Sequence, residues 1–196
     1  METPSISTAR APTFFEEVVT ATPGGDPKLI NCIQCGTCGG SCPSGADMDH
    51  TPRKLFAMIN AGMKEEVLSS NTPWYCVSCY YCMVRCPQEI HITDIMYTLK
   101  RMAIKEGYYK ESSAAEAPSF SETFIGYVEN YGRSFELGLA TKHHLRYHPI
   151  NAMRIATTMG LGMFLKGRMD LKPTRIKNMP QLRKILNKAK EIGGEA

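Results

Sequence analysis

Outside two short stretches the chain has no cysteine: all eight fall between Cys32 and Cys86, and the first 31 residues contain none. No thiol is left over for use as a nucleophile. An N-terminal apolar run is also missing, because Met1 to Pro23 carries Glu2, Glu16 and Glu17. No secretory signal is read there, and a cytoplasmic, reducing location is expected. No segment reaches the roughly 20 apolar residues that a bilayer requires. The most apolar stretch, Ile150 to Leu165, is interrupted by Arg154 and reads as a buried or docking helix. A G-x-G-x-x-G fingerprint is absent as well, which removes the usual dinucleotide cradle. A secreted disulfide scaffold, a membrane span and a Rossmann-type enzyme are all excluded as expectations.

What is present is one cysteine pattern, written twice. C-x-x-C-x-x-C-x-x-x-C-P occurs at Cys32, Cys35, Cys38, Cys42 and Pro43, and again at Cys76, Cys79, Cys82, Cys86 and Pro87. Three thiolates at this spacing wrap one corner of an iron–sulfur cube. The fourth points away and, in bacterial two-cluster ferredoxins, ligates the other cluster. Two cubane [4Fe–4S] clusters are therefore expected. By the crossed rule Cys32, Cys35, Cys38 and Cys86 hold the first, and Cys76, Cys79, Cys82 and Cys42 the second. Zinc is the weaker reading, because zinc sites pair C-x-x-C with a distant second pair, whereas here a third cysteine and a Cys-Pro follow at once.

A length of 196 residues with 43% hydrophobic content is enough for one domain with a core, plus extensions. The formal net charge is +4. Two cubanes bound by thiolates are anions and bring that total near zero. The distribution is lopsided: residues 1–141 hold 11 Lys/Arg against 16 Asp/Glu, and residues 142–196 hold 12 against 3. A basic tail suits an acidic partner, an anionic membrane or nucleic acid, while a solvated helix face is the plainer reading. The tail lacks a recognisable nucleic-acid motif, so nucleic acid is not expected as a partner.

Helical spacing governs the rest. An amphipathic helix is predicted over Thr13 to Ala21, broken by Thr22-Pro23-Gly24-Gly25. Thr51-Pro52 reads as an N-cap with proline in the first turn, followed by Leu55, Phe56, Ile59 and Met63 on one face. The 33 residues between Cys42 and Cys76 are long for a ferredoxin built on short hairpins, and point to an all-α domain. After Pro87, Thr93-Asp94 is read as the cap of a helix through Ile95, Met96, Leu99, Met102 and Ala103, closed by Gly107. The small polar stretch Glu111 to Pro118 is read as a linker. Helices are then expected over Phe120 to Leu139, over His143 to Arg168 after Pro149, and over Pro180 to Ile192. The expected division is 1–25 for an N-terminal helix and linker, 26–110 for the cluster domain and 119–196 for a basic helical extension.

Finer features follow from the loops. Gly36, Gly39 and Gly40 let the backbone approach the first cluster and aim N–H groups at sulfur, which raises potential. The second loop carries Val77, Tyr80, Tyr81, Met83 and Val84, with Trp74 upstream. Its cluster is expected to be better shielded and lower in potential. His143, His144 and His148 are read as surface residues of a basic loop rather than ligands, and His50 and His91 as capping or exposed groups near the clusters.

The paired motifs, the segment FIGYVENYGRSFELGL and the basic GMFLKGRMDLKPTRIK together resemble the C subunit of heterodisulfide reductase and its bacterial homologues. That resemblance implies a mainly α fold, an alpha-helical ferredoxin domain with a helical C-terminal extension. It implies an electron-transfer protein without substrate chemistry of its own. Its partners would be a flavin- and cluster-bearing protein like the A subunit of that family and a CCG-domain protein like its B subunit; this sequence has no CCG motif. The iron–sulfur subunit of a membrane quinone-linked dehydrogenase, or a free ferredoxin-type carrier, is the alternative. Succinate dehydrogenase-type subunits differ by an added [2Fe–2S] domain and an altered ligand set, and both sets are complete here.

Overall fold

A computed structural model describes residues 11–114, 116–148, 160–168 and 170–193. Regular structure among them is entirely helical. The chain divides into two units, residues 1–114 and 115–196.

Among the described residues the first unit holds seven α-helices. Helix α1 (Phe14–Ala21) starts on a capping box: the Thr13 hydroxyl accepts from the Glu16 N–H, and the Thr13 N–H donates to Glu16 Oε2 at 2.6 Å. Helix α2 (Thr37–Gly40) lies within the first cysteine motif and α6 (Tyr81–Val84) within the second. Between them run α3 (Pro52–Asn60), α4 (Lys64–Ser69) and α5 (Thr72–Tyr75), so the gap holds three helices where one was expected. Helix α7 (Ile92–Glu106) follows the second motif and ends on Gly107, whose φ of +85° is the left-handed geometry that glycine adopts without strain.

Two expected boundaries move. Met63 lies beyond α3, because the chain turns at Gly62 (φ +75°) and begins α4. Thr93 does not cap α7; the helix starts earlier, after His91, and Thr93 is buried inside its first turn. An apolar surface on Ile92, Ile95 and Met96 pulls those positions into the helix, and burial outweighs the capping preference of Thr93.

The core lies where α3 and α7 meet the cysteine loops. Leu55, Phe56 and Ile59 from α3 and Ile95, Met96 and Leu99 from α7 are all buried. Val18, Leu29, Val67, Leu68 and Ile90 join them. At the rim, Lys64 bridges Glu17 at 2.8 Å and Glu106 at 2.9 Å, tying α4 to α1 and α7.

The second unit contains α8 (Glu116–Tyr131), α9 (Glu136–Tyr147), α10 (Leu161–Leu165) and α11 (Met179–Gly193). The linker read over Glu111 to Pro118 is shorter than expected, since α8 already begins at Glu116. The single helix expected over Phe120 to Leu139 is two, because Gly132 (φ +81°) ends α8 before α9 starts. Of the helix expected over His143 to Arg168, residues 149–159 lie outside those described; His143 to Tyr147 close α9, and Leu161–Leu165 form α10. Pro180 to Ile192 is helical as read.

Replacing Leu99 with alanine should cost about 2–5 kcal/mol in anaerobic denaturant unfolding, as expected for a fully buried leucine. Thr13→Ala, which removes only the exposed cap, should cost about 0.5–2 kcal/mol in the same measurement.

Candidate iron–sulfur centre

Each cysteine motif folds into the same backbone turn. Cys32 and Cys76 leave a preceding helical turn with nearly identical angles, φ −65°, ψ 110° and φ −68°, ψ 110°. Two residues on, Gln34 (φ +58°) and Ser78 (φ +54°) are left-handed, and so are Gly36 (φ +84°) and Tyr80 (φ +63°). The hydrogen bonds repeat as well: Gly39 and Gly40 donate to Gly36 O, and Met83 and Val84 donate to Tyr80 O. This alternation of hands curls each loop so that its first three thiols face inward. A tyrosine held at the position of Gly36 carries a strain of about 1–2 kcal/mol that the first loop avoids.

Two cavities result, and each takes thiols from both motifs. The first, about 330 Å³, is lined by Cys32, Cys35, Cys38 and, from the second motif, Cys86. The second, about 380 Å³, is lined by Cys76, Cys79, Cys82 and, from the first motif, Cys42. Cys35 and Cys79 are exposed, and the other six are partly buried.

The surroundings of the thiols differ. Gln34 Nε2 donates to Cys32 Sγ at 3.4 Å. The hydroxyl and N–H of Thr37 hold the Cys35 thiol below its ordinary range. Burial pushes the Cys38 and Cys42 thiols up, and for Cys42 the thiolates of Cys76 and Cys79 push the same way. Burial, reinforced by Cys76, Cys38 and Cys79, pushes Cys82 up to about 11. Crowded thiols that resist ionisation are what a cationic iron–sulfur core relieves, because the metal takes them as thiolates and releases their protons.

A second feature fits such a group. Thr93 lines the second cavity, and its buried hydroxyl has no hydrogen-bond partner among the described residues. A buried hydroxyl left unpaired costs about 1–3 kcal/mol, which a sulfur acceptor in that cavity would offset.

The loops are braced from outside. After Cys42 the chain is clamped to the start of α5 by a reciprocal pair, Asp49 N–H to Asn71 Oδ1 and Asn71 N–H to Asp49 Oδ2, both 2.7 Å. The Thr72 hydroxyl accepts from the His50 N–H at 3.0 Å and donates to His50 O at 2.9 Å. Ser78 donates to Tyr97 at 2.9 Å, and Lys100 reaches Cys76 O at 3.4 Å while lying over the Tyr97 and Trp74 rings. Arg85 spans the motifs to Ser41 at 3.4 Å.

Of the second-loop residues expected to shield their cluster, Val77 and Tyr80 line the cavity, and Met83 and Trp74 pack partly buried against the core. Val77, Tyr80, Tyr81 and Val84 are exposed, Val84 at 84%. The histidines differ from expectation: His143 and His144 lie near the end of α9 and His148 caps it, rather than all three in a loop. His143 and His148 face Glu116 at 3.5 and 3.2 Å, and His144 Nδ1 lies 2.9 Å from Ala140 O. His50 and His91 line neither cavity; His91 Nδ1 lies 3.4 Å from Asp94. Arg53, Tyr97 and Lys100 were not singled out from sequence. Aligning the helices that follow the two motifs would have drawn attention to Arg53.

In the metal-free protein at pH 8, iodoacetamide should modify Cys35 first and Cys82 last. Below its raised range the Cys82 thiolate fraction grows about tenfold per pH unit, so its alkylation should accelerate between pH 8 and 10 while that of Cys35 levels off. Peptide mass spectrometry reads the order, and earlier labelling of Cys82 would contradict the assigned environments.

Comparison with known proteins agrees on the class of site. Residues 28–90 match the 4Fe-4S dicluster domain, a domain with two [4Fe–4S] clusters. Over 94 residues the chain is 42% identical to the C subunit of the H(2):CoB-CoM heterodisulfide,ferredoxin reductase of Methanothermobacter marburgensis, covering 48% of this chain and 50% of the relative. It is 45% identical over 76 residues to the second iron-sulfur C subunit of the CoB--CoM heterodisulfide reductase of Methanocaldococcus jannaschii, covering 39% and 40%. To the C subunit of the ferredoxin:CoB-CoM heterodisulfide reductase of Methanosarcina mazei it is 37% identical over 97 residues, covering 48% and 58%. The chain spans about half the length of the curated relatives it matches.

Proposed function

We propose that this chain, a 4Fe-4S dicluster protein homologous over about half its length to the C subunit of heterodisulfide reductase, relays electrons inside a soluble, cytoplasmic heterodisulfide reductase or heterodisulfide reductase-like complex. Its neighbours in that complex are a flavin-bearing protein of the A-subunit type and a CCG-domain protein of the B-subunit type. Among the described residues no helix is long and apolar enough to cross a membrane.

The single observation that carries the reading is the shared lining of the two cavities. Three thiols from one motif and one from the other face each cavity. Cys32, Cys35, Cys38 and Cys86 are assigned to the first cluster, and Cys76, Cys79, Cys82 and Cys42 to the second. When bound, each cubane supplies one-electron chemistry with little change of geometry. The protein's part is to hold the two sites in fixed register. Helices α3 and α7 do so through their shared core, and each fourth cysteine joins one loop covalently to the other site.

The second unit supports a role within an assembly. Among its described residues Leu139 is buried, while Phe124, Ile125, Leu165, Ile185 and Ile192 are exposed. So little burial stabilises a set of helices weakly by itself, and a partner surface would cover those side chains. Its cationic character favours an acidic partner.

Cys42→Ser should abolish the spectroscopic signal of the second cluster and leave the first, as read by electron paramagnetic resonance of the reduced protein. Loss of the first cluster alone would reverse the ligand assignment. Removing residues 179–193 should weaken complex assembly while both clusters remain. Anaerobic affinity purification from the native organism tests the partners: recovery of a CCG-domain protein with a flavoprotein supports the relay. Recovery of a quinone-linked membrane dehydrogenase, or of no partner, overturns it.

A further inference from the structure

The two cluster sites are repeats, and among the wall positions at which they differ one carries a cation in the first and a neutral hydroxyl in the second. Within the motifs the repeat offset is 44 residues. In the helices that follow, it is 40: Leu55, Phe56 and Ile59 of α3 correspond to Ile95, Met96 and Leu99 of α7, all buried. In that register Arg53 corresponds to Thr93, and both occupy the second position of their helices. Each also lines its own cavity: Arg53 with Phe56 in the first, Thr93 with Met96 in the second.

The chemistry at the two positions is unlike. Arg53 brings a guanidinium, a permanent cation. Its Cδ and Nε lie 3.6 and 3.8 Å from where a Cβ would stand on Gly36, so the side chain extends over the first cysteine loop. Among the described residues it makes no ion pair. Thr93 brings a neutral hydroxyl, 1% exposed and unpartnered among the described residues. No residue lining the second cavity carries a basic side chain. Two other cations stand on the outside of the loops, Lys100 at the Cys76 carbonyl and two rings and Arg85 at Ser41 and the Tyr81 ring, and neither lines a cavity.

We propose that Arg53 and Thr93 are the residues that tune the two clusters, and that the cation at Arg53 places the first cluster above the second in reduction potential. The proposal rests on the ligand assignment given above. A cluster gains one negative charge on reduction, with no bond made or broken and no proton required. A cation in its wall stabilises the reduced form, and a hydroxyl donating to sulfur does so more weakly, since hydrogen bonds from charged donors are roughly twice as strong as neutral ones. Electrons entering at the second cluster then run downhill to the first, so the electron donor belongs at the second loop.

The test is a redox titration of the intact holoprotein monitored by electron paramagnetic resonance, with iron and sulfide content measured on every variant. The wild type should show two one-electron waves. Arg53→Gln should lower the upper wave alone, by up to about tenfold in its equilibrium, or about 59 mV for one electron, and Arg53→Lys should restore it. Thr93→Val, which keeps the shape and removes the hydroxyl, should lower the lower wave alone by a smaller factor. Movement of the lower wave by Arg53→Gln, or no movement of either wave with both clusters intact, overturns the tuning assignment. A wild-type protein without two clusters overturns the functional reading itself, so the two failures are told apart.

Discussion

Each cavity takes one of its four cysteines from the other motif, 44 residues away in the repeat, and that crossing is the constraint this unit is arranged around. Cys42 and Cys86 reach the opposite cavities only if the two loops stand side by side. The buried faces of α3 and α7 hold them there, and Asn71 and Thr72 fix the chain between. Lys64, with carboxylates from α1 and α7 at 2.8 and 2.9 Å, closes the far side. Removing a core leucine therefore acts on geometry at both cavities at once, although it touches no thiol.

Local geometry and redox function meet in the cysteine loops. The alternation of left-handed and right-handed residues brings three cysteines of each motif to one cavity. Glycine at residue 36 makes this turn without strain and leaves room for Arg53 above it. Tyrosine at residue 80 makes the same turn at a cost and exposes an aromatic ring instead. The two loops thus present equal ligand geometry inside and different surfaces outside.

Much of this was legible in the sequence where a local rule and burial agree. Thr51 caps α3 as read, because the next apolar residues already fit the helical face, while Thr13, read as the first residue of α1, is its N-cap. Thr93 has the same local signal but lies between Ile92 and Ile95, whose burial carries the helix past it. Met63 fits the spacing of α3, yet Gly62 ends the helix first. Gly132 splits the predicted long helix for the same reason, a left-handed turn that no periodicity count detects. The wall position shared by Arg53 and Thr93 escapes the motif spacing, since the register changes from 44 to 40 between motif and helix, and only a separate alignment of the helices recovers it.

That change of register comes from four extra residues after the first motif: the cap Thr51 lies nine positions beyond Cys42, whereas His91 lies five beyond Cys86. The longer connection carries Met48, whose Sδ accepts from the Cys42 thiol at 3.9 Å, and Asp49 and His50, which grip α5. It has no counterpart after the second motif. The two halves of this unit are consequently not interchangeable. The unit presents two chemically distinct ends, and the difference between them is encoded in four residues of loop length.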